Sequence, residues 1–162
     1  MKKIHVFVLA AGIALSSQTT SFAASTTGNL TVSAVVTAQC VIQSAAIPFG
    51  TYSSGAVQQN AQIGVNCSNG TSYTISLDAG SGTGATTATR KLANTAGGSS
   101  LNYGLYQDAA RTKTWGNASG SDTIAGVGSG TTQNIPVYGY IPGGQTSTAG
   151  SYSDVVAITL AY

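Results

Sequence analysis

The stretch Tyr73-Thr74-Ile75-Ser76-Leu77-Asp78 alternates large apolar and polar side chains without a break, which is the period of a strand with one face in a core. The same period of two recurs outward from it. Ile63 and Val65 precede Cys67, and further on come Leu101, Tyr103 and Leu105, then Ile135, Val137 and Gly139. Near the two ends lie Leu30, Val32, Ala34 and Val36, and Val156, Ile158, Leu160 and Tyr162. Turn-forming residues separate these runs at 68–70, 79–84, 97–98, 126–130 and 143–144. No window of comparable length carries a 3.6-residue period with helix caps. Short strands divided by Gly-, Ser- and Thr-rich turns predict an all-β sandwich. Gly80, Gly82 and Gly84 read as a hairpin tip, since a phosphate cradle needs a following helix N-terminus.

The first residues predict a compartment. Lys2 and Lys3 precede an apolar run over 4–15, too short to span a bilayer, and Ser21-Phe22-Ala23 offers small residues at the cleavage positions. A signal peptide is therefore expected over residues 1–23, with a single mature domain after it. The leader would take with it the lone histidine, His5, and the sequence has no Glu at all. Arg90, Lys91, Arg111 and Lys113 then balance Asp78, Asp108, Asp122 and Asp154, although the whole chain carries a formal charge of +2. Such a neutral surface has little long-range repulsion between copies and no basic stripe for nucleic acid.

Cys40 and Cys67 are the only cysteines, and export to an oxidising compartment predicts a disulfide between them. They are too far apart in sequence for a zinc or redox pair, and no metal, cofactor or catalytic set is expected. A Ser or Thr nucleophile would find neither His nor Glu as its base, so an enzyme is not expected. Asp108 stands close to Arg111 in a turn, where an ion pair or an Asx-turn explains both. Trp115 is expected in the core, with Tyr103 inward and Tyr106 on the opposite face. An exposed Trp115 extended by tyrosines would instead make a sugar platform, which keeps a carbohydrate-binding module as an alternative. By pattern alone, residues 29–38 suit equally the first strand of a complete domain and a strand given to another molecule.

Leu101-Asn102-Tyr103-Gly104-Leu105-Tyr106-Gln107-Asp108, then Ala110-Arg111-Thr112 and Trp115-Gly116, resemble the central signature of the spore coat protein U domain family, which includes subunits of archaic, Csu-type chaperone-usher pili. Ile135-Pro136-Val137-Tyr138-Gly139, Ile141-Pro142 and Gly150-Ser151-Tyr152-Ser153-Asp154 are similar to its later motifs. So are Pro48-Phe49-Gly50 after Cys40 and the placing of Cys67 at a strand end.

That resemblance implies an incomplete immunoglobulin-like β-sandwich completed by donor-strand complementation. It divides the chain into a signal peptide at 1–23, an N-terminal donor strand at 24–37 and a pilin sandwich at 38–162. Leu30, Val32, Ala34 and Val36 match the donor positions, although Ala34 is smaller than its companions. Val156, Ile158, Leu160 and Tyr162 match the strand that borders the groove and meets the chaperone. Tyr103, Tyr106, Asp108, Arg111, Trp115 and Gly116 match the signature as structural residues. The implied partners are like subunits joined head to tail, a periplasmic chaperone and an outer-membrane usher, with assembly on the cell surface. The implied function is that of a pilus shaft subunit in surface attachment and biofilm formation. A spore-coat or other secreted coat protein is the alternative that the family name brings with it.

Overall fold

The computed structural model describes residues 22–162. The leader expected over 1–23 therefore lies, apart from its last two residues, outside the described residues. The chain divides into two units, Met1–Val35 and Val36–Tyr162. In the first, residues 22–35 form no strand, and Leu30, Val32 and Val35 are exposed.

The second unit holds nine strands: β1 (Cys40–Ile42), β2 (Val57–Cys67), β3 (Ser72–Leu77), β4 (Arg90–Asn94), β5 (Ser100–Tyr106), β6 (Ile124–Val127), β7 (Thr132–Ile141), β8 (Tyr152–Ser153) and β9 (Ile158–Ala161). Six form one sheet in the order β1-β2-β7-β5-β4-β8, and three form a second in the order β6-β3-β9. Every pairing is antiparallel, and the described residues contain no helix. The period-two pattern is the reason. Tyr73, Ile75 and Leu77 of β3 are buried while Thr74 and Ser76 are only half-buried, so one face of the small sheet is apolar. It meets Ile63 and Val65 of β2, Tyr103 and Leu105 of β5, and Val137 and Ile141 of β7 in a single core.

Two devices hold the layers. Cys40 and Cys67 stand directly opposite each other in the β1–β2 register and are joined by a disulfide, which adds about 3 to 4 kcal/mol on the chain-entropy model. The second device lies inside. Arg90, on β4 of the large sheet, is fully buried. Its Nε donates to the Asp78 carbonyl at 2.8 Å, Nη1 to Thr87 at 2.8 Å, and Nη2 to Leu77 at 3.2 Å and Trp115 at 2.8 Å. Leu77 closes β3 of the small sheet, so one guanidinium ties both sheets to the loop that carries Trp115. The Trp115 indole, also fully buried, donates to the Ile75 carbonyl at 3.1 Å.

Two expectations need correction. The glycine-rich segment at 79–84 is not a hairpin tip, because β3 and β4 lie in different sheets and do not pair. It is the crossover between them, and it runs close over β4: a Cβ on Gly82 would lie 2.5 Å from the Lys91 carbonyl oxygen. Residues 126–130 are also not wholly a turn, since Gly126 and Val127 belong to β6, opposite Tyr73 and Ser72. In β4 the inward positions include Arg90 and Asn94, and in β6 a glycine sits among four residues. Polarity and shortness removed the hydrophobic alternation by which strands are recognised.

Replacing Arg90 by Lys keeps the charge but not the planar fork that reaches four carbonyls. Arg90→Lys is expected to lower stability by about 2 to 3 kcal/mol in urea unfolding of the exported chain. A variant as stable as the parent would show that the guanidinium is not what ties the sheets.

A groove open to the core as candidate functional site

β9 is an edge strand, paired with β3 on one side only. Its register runs from Leu77 opposite Ile158 to Thr74 opposite Ala161. Beside it the core is open in a groove of about 1060 Å³. Three parts of the chain line this groove: residues 45–52, residues 147–156 with Ile158, and core side chains that include Leu77, Leu105, Val137 and Ile141. A strand-wide opening onto buried aliphatic side chains fits an extended apolar segment better than a compact polar ligand.

The rims are moored by polar contacts at their ends. Phe49 packs edge-on against Tyr103, with centroids 5.9 Å apart. The Tyr52 hydroxyl donates to the Pro142 carbonyl at 3.2 Å and accepts from the Gln145 N–H at 2.9 Å. On the other rim, the Asp154 carboxylate accepts from the Ser81 N–H and hydroxyl, both at 2.7 Å, and from the Tyr103 hydroxyl at 2.7 Å. Tyr103 thus touches both rims, through its ring on one side and its hydroxyl on the other. Burial first, and then the hydrogen bond to Asp154, push the Tyr103 phenol far above its ordinary value.

The positions singled out from sequence separate in space. Val156 and Ile158 line the groove, Leu160 packs against the core, and Tyr162 is exposed at the end of the strand. Val156 precedes β9, and the contact with the small sheet extends as far as Ala157, whose N–H donates to the Asp78 carboxylate and whose carbonyl accepts from the Asp78 N–H. Leu30, Val32, Ala34 and Val36 are all exposed. Of the signature residues, Tyr103 lies in the groove, while Trp115 and Gly116 lie inside, where the Leu77 N–H donates to the Gly116 carbonyl at 2.9 Å. Asp108 caps its own loop by accepting from the N–H groups of Thr112 and Lys113 and the Thr112 hydroxyl. The Lys113 N–H and the Thr112 hydroxyl hold its carboxyl below the usual range. Arg111 turns away from Asp108 to the Gly139 and Ala109 carbonyls and the Asn60 amide; the expected ion pair or Asx-turn is replaced by a turn closed by the Arg111 N–H on the Asp108 carbonyl at 3.0 Å, with the carboxylate reaching on to Thr112 and Lys113. With Trp115 buried, the sugar platform built on that residue does not exist.

Sequence reading touched the two rims only through the family motifs Pro48-Phe49-Gly50 and Gly150-Ser151-Tyr152-Ser153-Asp154 and did not place either beside a groove. The alternation of Ile47 and Phe49 was a usable signal. The second rim is Ser-, Thr- and Gly-rich and carries no such alternation.

The fold is an antiparallel immunoglobulin-like sandwich with an apolar groove open beside the edge strand β9. The model of the Spore Coat Protein U domain matches residues 26–159, and the chain belongs to that family. It is 31% identical over 176 residues to "Protein U" of Myxococcus xanthus, a match covering 99% of this chain and 98% of that protein. Its fold is similar to that of a chain in the crystal structure of the CsuC–CsuE chaperone–tip adhesion subunit pre-assembly complex, from archaic chaperone-usher Csu pili of Acinetobacter baumannii. There the TM-score is 0.57 at 22% identity, over 78% of this chain and 40% of that one. The chain thus spans about two fifths of that structure's chain, and the likeness is one of fold.

The Tyr103 contacts carry a pH dependence with a definite sign. A phenol whose pKa is raised by folding contributes stability that is fully present below the unfolded value of about 10 and is lost as pH rises above it. The melting temperature is expected to fall more steeply above pH 10 in the parent than in Tyr103→Phe, which keeps the ring and has no proton to lose. Parallel curves would remove Tyr103 as the groove's alkaline weak point.

Proposed function

We propose that this chain is a structural subunit, of the shaft, in a secreted chaperone-usher pilus, and that it polymerises by giving residues 24–37 to the groove of the next copy. The observation that carries this reading is the pairing of an open apolar groove beside edge strand β9 with an exposed alternating segment, Leu30, Val32, Ala34 and Val36, upstream of the first cysteine. Inserting three large aliphatic side chains and one Ala into such a groove gains about 5 to 8 kcal/mol before ordering costs. Ladder hydrogen bonds to the free edge of β9 add to it. The contact is heterologous, so it propagates into a filament unless it closes into a ring.

In this reading a periplasmic chaperone lends the groove a strand first, and an outer-membrane usher exchanges it for the neighbour's. Val156, Ile158, Leu160 and Tyr162 form the border that both occupants meet. Export through the periplasm, assembly on the cell surface and a role in attachment and biofilm formation follow from the same proposal. Beyond the expected leader the sequence has neither His nor Glu to serve as a base, which fits a structural role.

The similarity to Protein U along nearly the full length of both proteins favours one second reading, a secreted surface coat. A pilus subunit should accumulate only when a periplasmic chaperone is co-expressed, and should run as a ladder of multimers on unheated gels. A coat protein should be stable without the chaperone.

Strand donation itself is tested by melting three forms of the mature chain: intact, truncated before Ala38, and truncated with residues 27–37 regrafted after Tyr162 through a flexible linker. Truncation is expected to leave an unstable or aggregating domain, and the graft to restore a stable monomer. A truncated domain that melts normally as a soluble monomer would mean that the groove needs no occupant.

A further inference from the structure

The outer face of the six-stranded sheet, turned away from the core and its groove, gathers three of the eight tyrosines. Tyr138 and Tyr140 point outward from β7, Tyr106 pairs with Tyr138 from β5, and Gly104 pairs with Tyr140. A side chain at Gly104 would stand where the Tyr106 ring lies: its Cβ would fall 2.6 Å from the Tyr106 hydroxyl and 2.7 Å from the nearest ring carbons. The glycine therefore lets the Tyr106 ring lie back along the strand beside Tyr140 instead of standing up from it. The Arg111 guanidinium lies over the Tyr138 ring, 6.0 Å from its centre, and is itself held by the Gly139 carbonyl and the Asn60 amide. The result is a low aromatic shelf on two neighbouring strands, about 5 Å across and about 7 Å along.

The hydroxyls of this shelf differ from most of the others. Those of Tyr52, Tyr73, Tyr103 and Tyr152 all have partners within the protein. Among the described residues, those of Tyr106, Tyr138 and Tyr140 make no such bond. Gln58, directly across from Tyr140 on β2, and Asn102, two residues before Gly104, are exposed and leave their side-chain amides free at either side. The charge is equally specific. No carboxylate side chain projects from this face of β2, β7 or β5. Its two cations, Arg111 and Lys91, are held by uncharged groups, Arg111 as described and Lys91 by the Thr83 carbonyl at 3.2 Å, so they are fixed in place but keep their charge.

We propose that this face binds a neutral polysaccharide, with hexose rings lying on the tyrosines. The chemistry matches on each count. The C–H face of a pyranose carries partial positive charge and is drawn to the negative face of an aromatic ring, whereas its hydroxyls need amide and phenol partners of the kind that edge the shelf. Stacking of this kind needs no charge on the sugar, so a neutral glycan suffices. The proposal is independent of strand donation, which uses the other side of the sandwich.

The test titrates the exported chain with cellohexaose and laminarihexaose, and with a galacturonic acid hexamer as the acidic counterpart, followed by saturation-transfer NMR. At least one neutral hexamer is expected to bind with a Kd of about 0.1 to 1 mM, indifferent to salt between about 0.05 and 0.5 M. Tyr140→Ala should weaken this binding about tenfold or more with the melting temperature unchanged, and Tyr140→Phe should retain most of it. Gly104→Ala should act in the same direction as Tyr140→Ala by displacing the Tyr106 ring. Absence of binding by both neutral hexamers up to about 5 mM, binding of the acidic one alone, or undiminished binding by Tyr140→Ala would each overturn the proposal. So would a change in self-association of Tyr140→Ala without sugar binding, since the face would then be a contact between copies.

Discussion

One buried cation holds the two layers of this sandwich together. The Arg90 guanidinium sits where the end of β3, the start of β4 and the Trp115 loop converge, and it supplies donors to four backbone carbonyls. Burial lowers its pKa, and Tyr103, Asp78, Asp154 and Asp122 oppose that shift from nearby. No carboxylate forms a direct pair with it. A charge in this position is tolerated because its donors meet carbonyls that are themselves buried and would be costly to leave unpaired. The crossover at 79–84, the burial of Trp115 and the facing of the two sheets all depend on that meeting point.

The same arrangement explains why the groove stays a groove. The small sheet has three strands and ends at β9, so its edge has no covering strand while the large sheet continues beneath it. Collapse is opposed at the rims, where Tyr103 reaches Phe49 on one side and Asp154 on the other, and where Asp154 also holds Ser81 of the crossover. An apolar opening kept apart by polar moorings is an aggregation hazard unless it is managed. The strand donation proposed for this chain would turn that hazard into a means of assembly.

The two faces of the large sheet follow different rules. On β5 its inner face keeps apolar alternation, as Leu101, Tyr103 and Leu105 show, whereas on β4 it carries Arg90 and Asn94. The outer face has no carboxylate on β2, β5 or β7 and carries three tyrosines, Tyr106, Tyr138 and Tyr140, whose hydroxyls make no bond among the described residues. Asp108 and Arg111 look like an ion pair in the linear sequence and part company in space, because loop N–H groups outcompete a side-chain partner for the carboxylate.

The sequence by itself determined the all-β class, the inward set on β2, β3, β5 and β7, the disulfide and the family, because period-two alternation and a lone cysteine pair are local properties that survive without a partner. Only the tertiary structure decided which strands share a sheet, that 79–84 crosses between layers, that β4 buries an arginine, and that 147–156 forms a rim of the groove. Those features are set by what lies across space from each residue. Arg90 finds Leu77, Asp78 and Trp115, and Asp154 finds Ser81 and Tyr103, many positions away along the chain, and a segment of Ser, Thr and Gly acquires its role from the backbone it is pinned to and not from its own side chains.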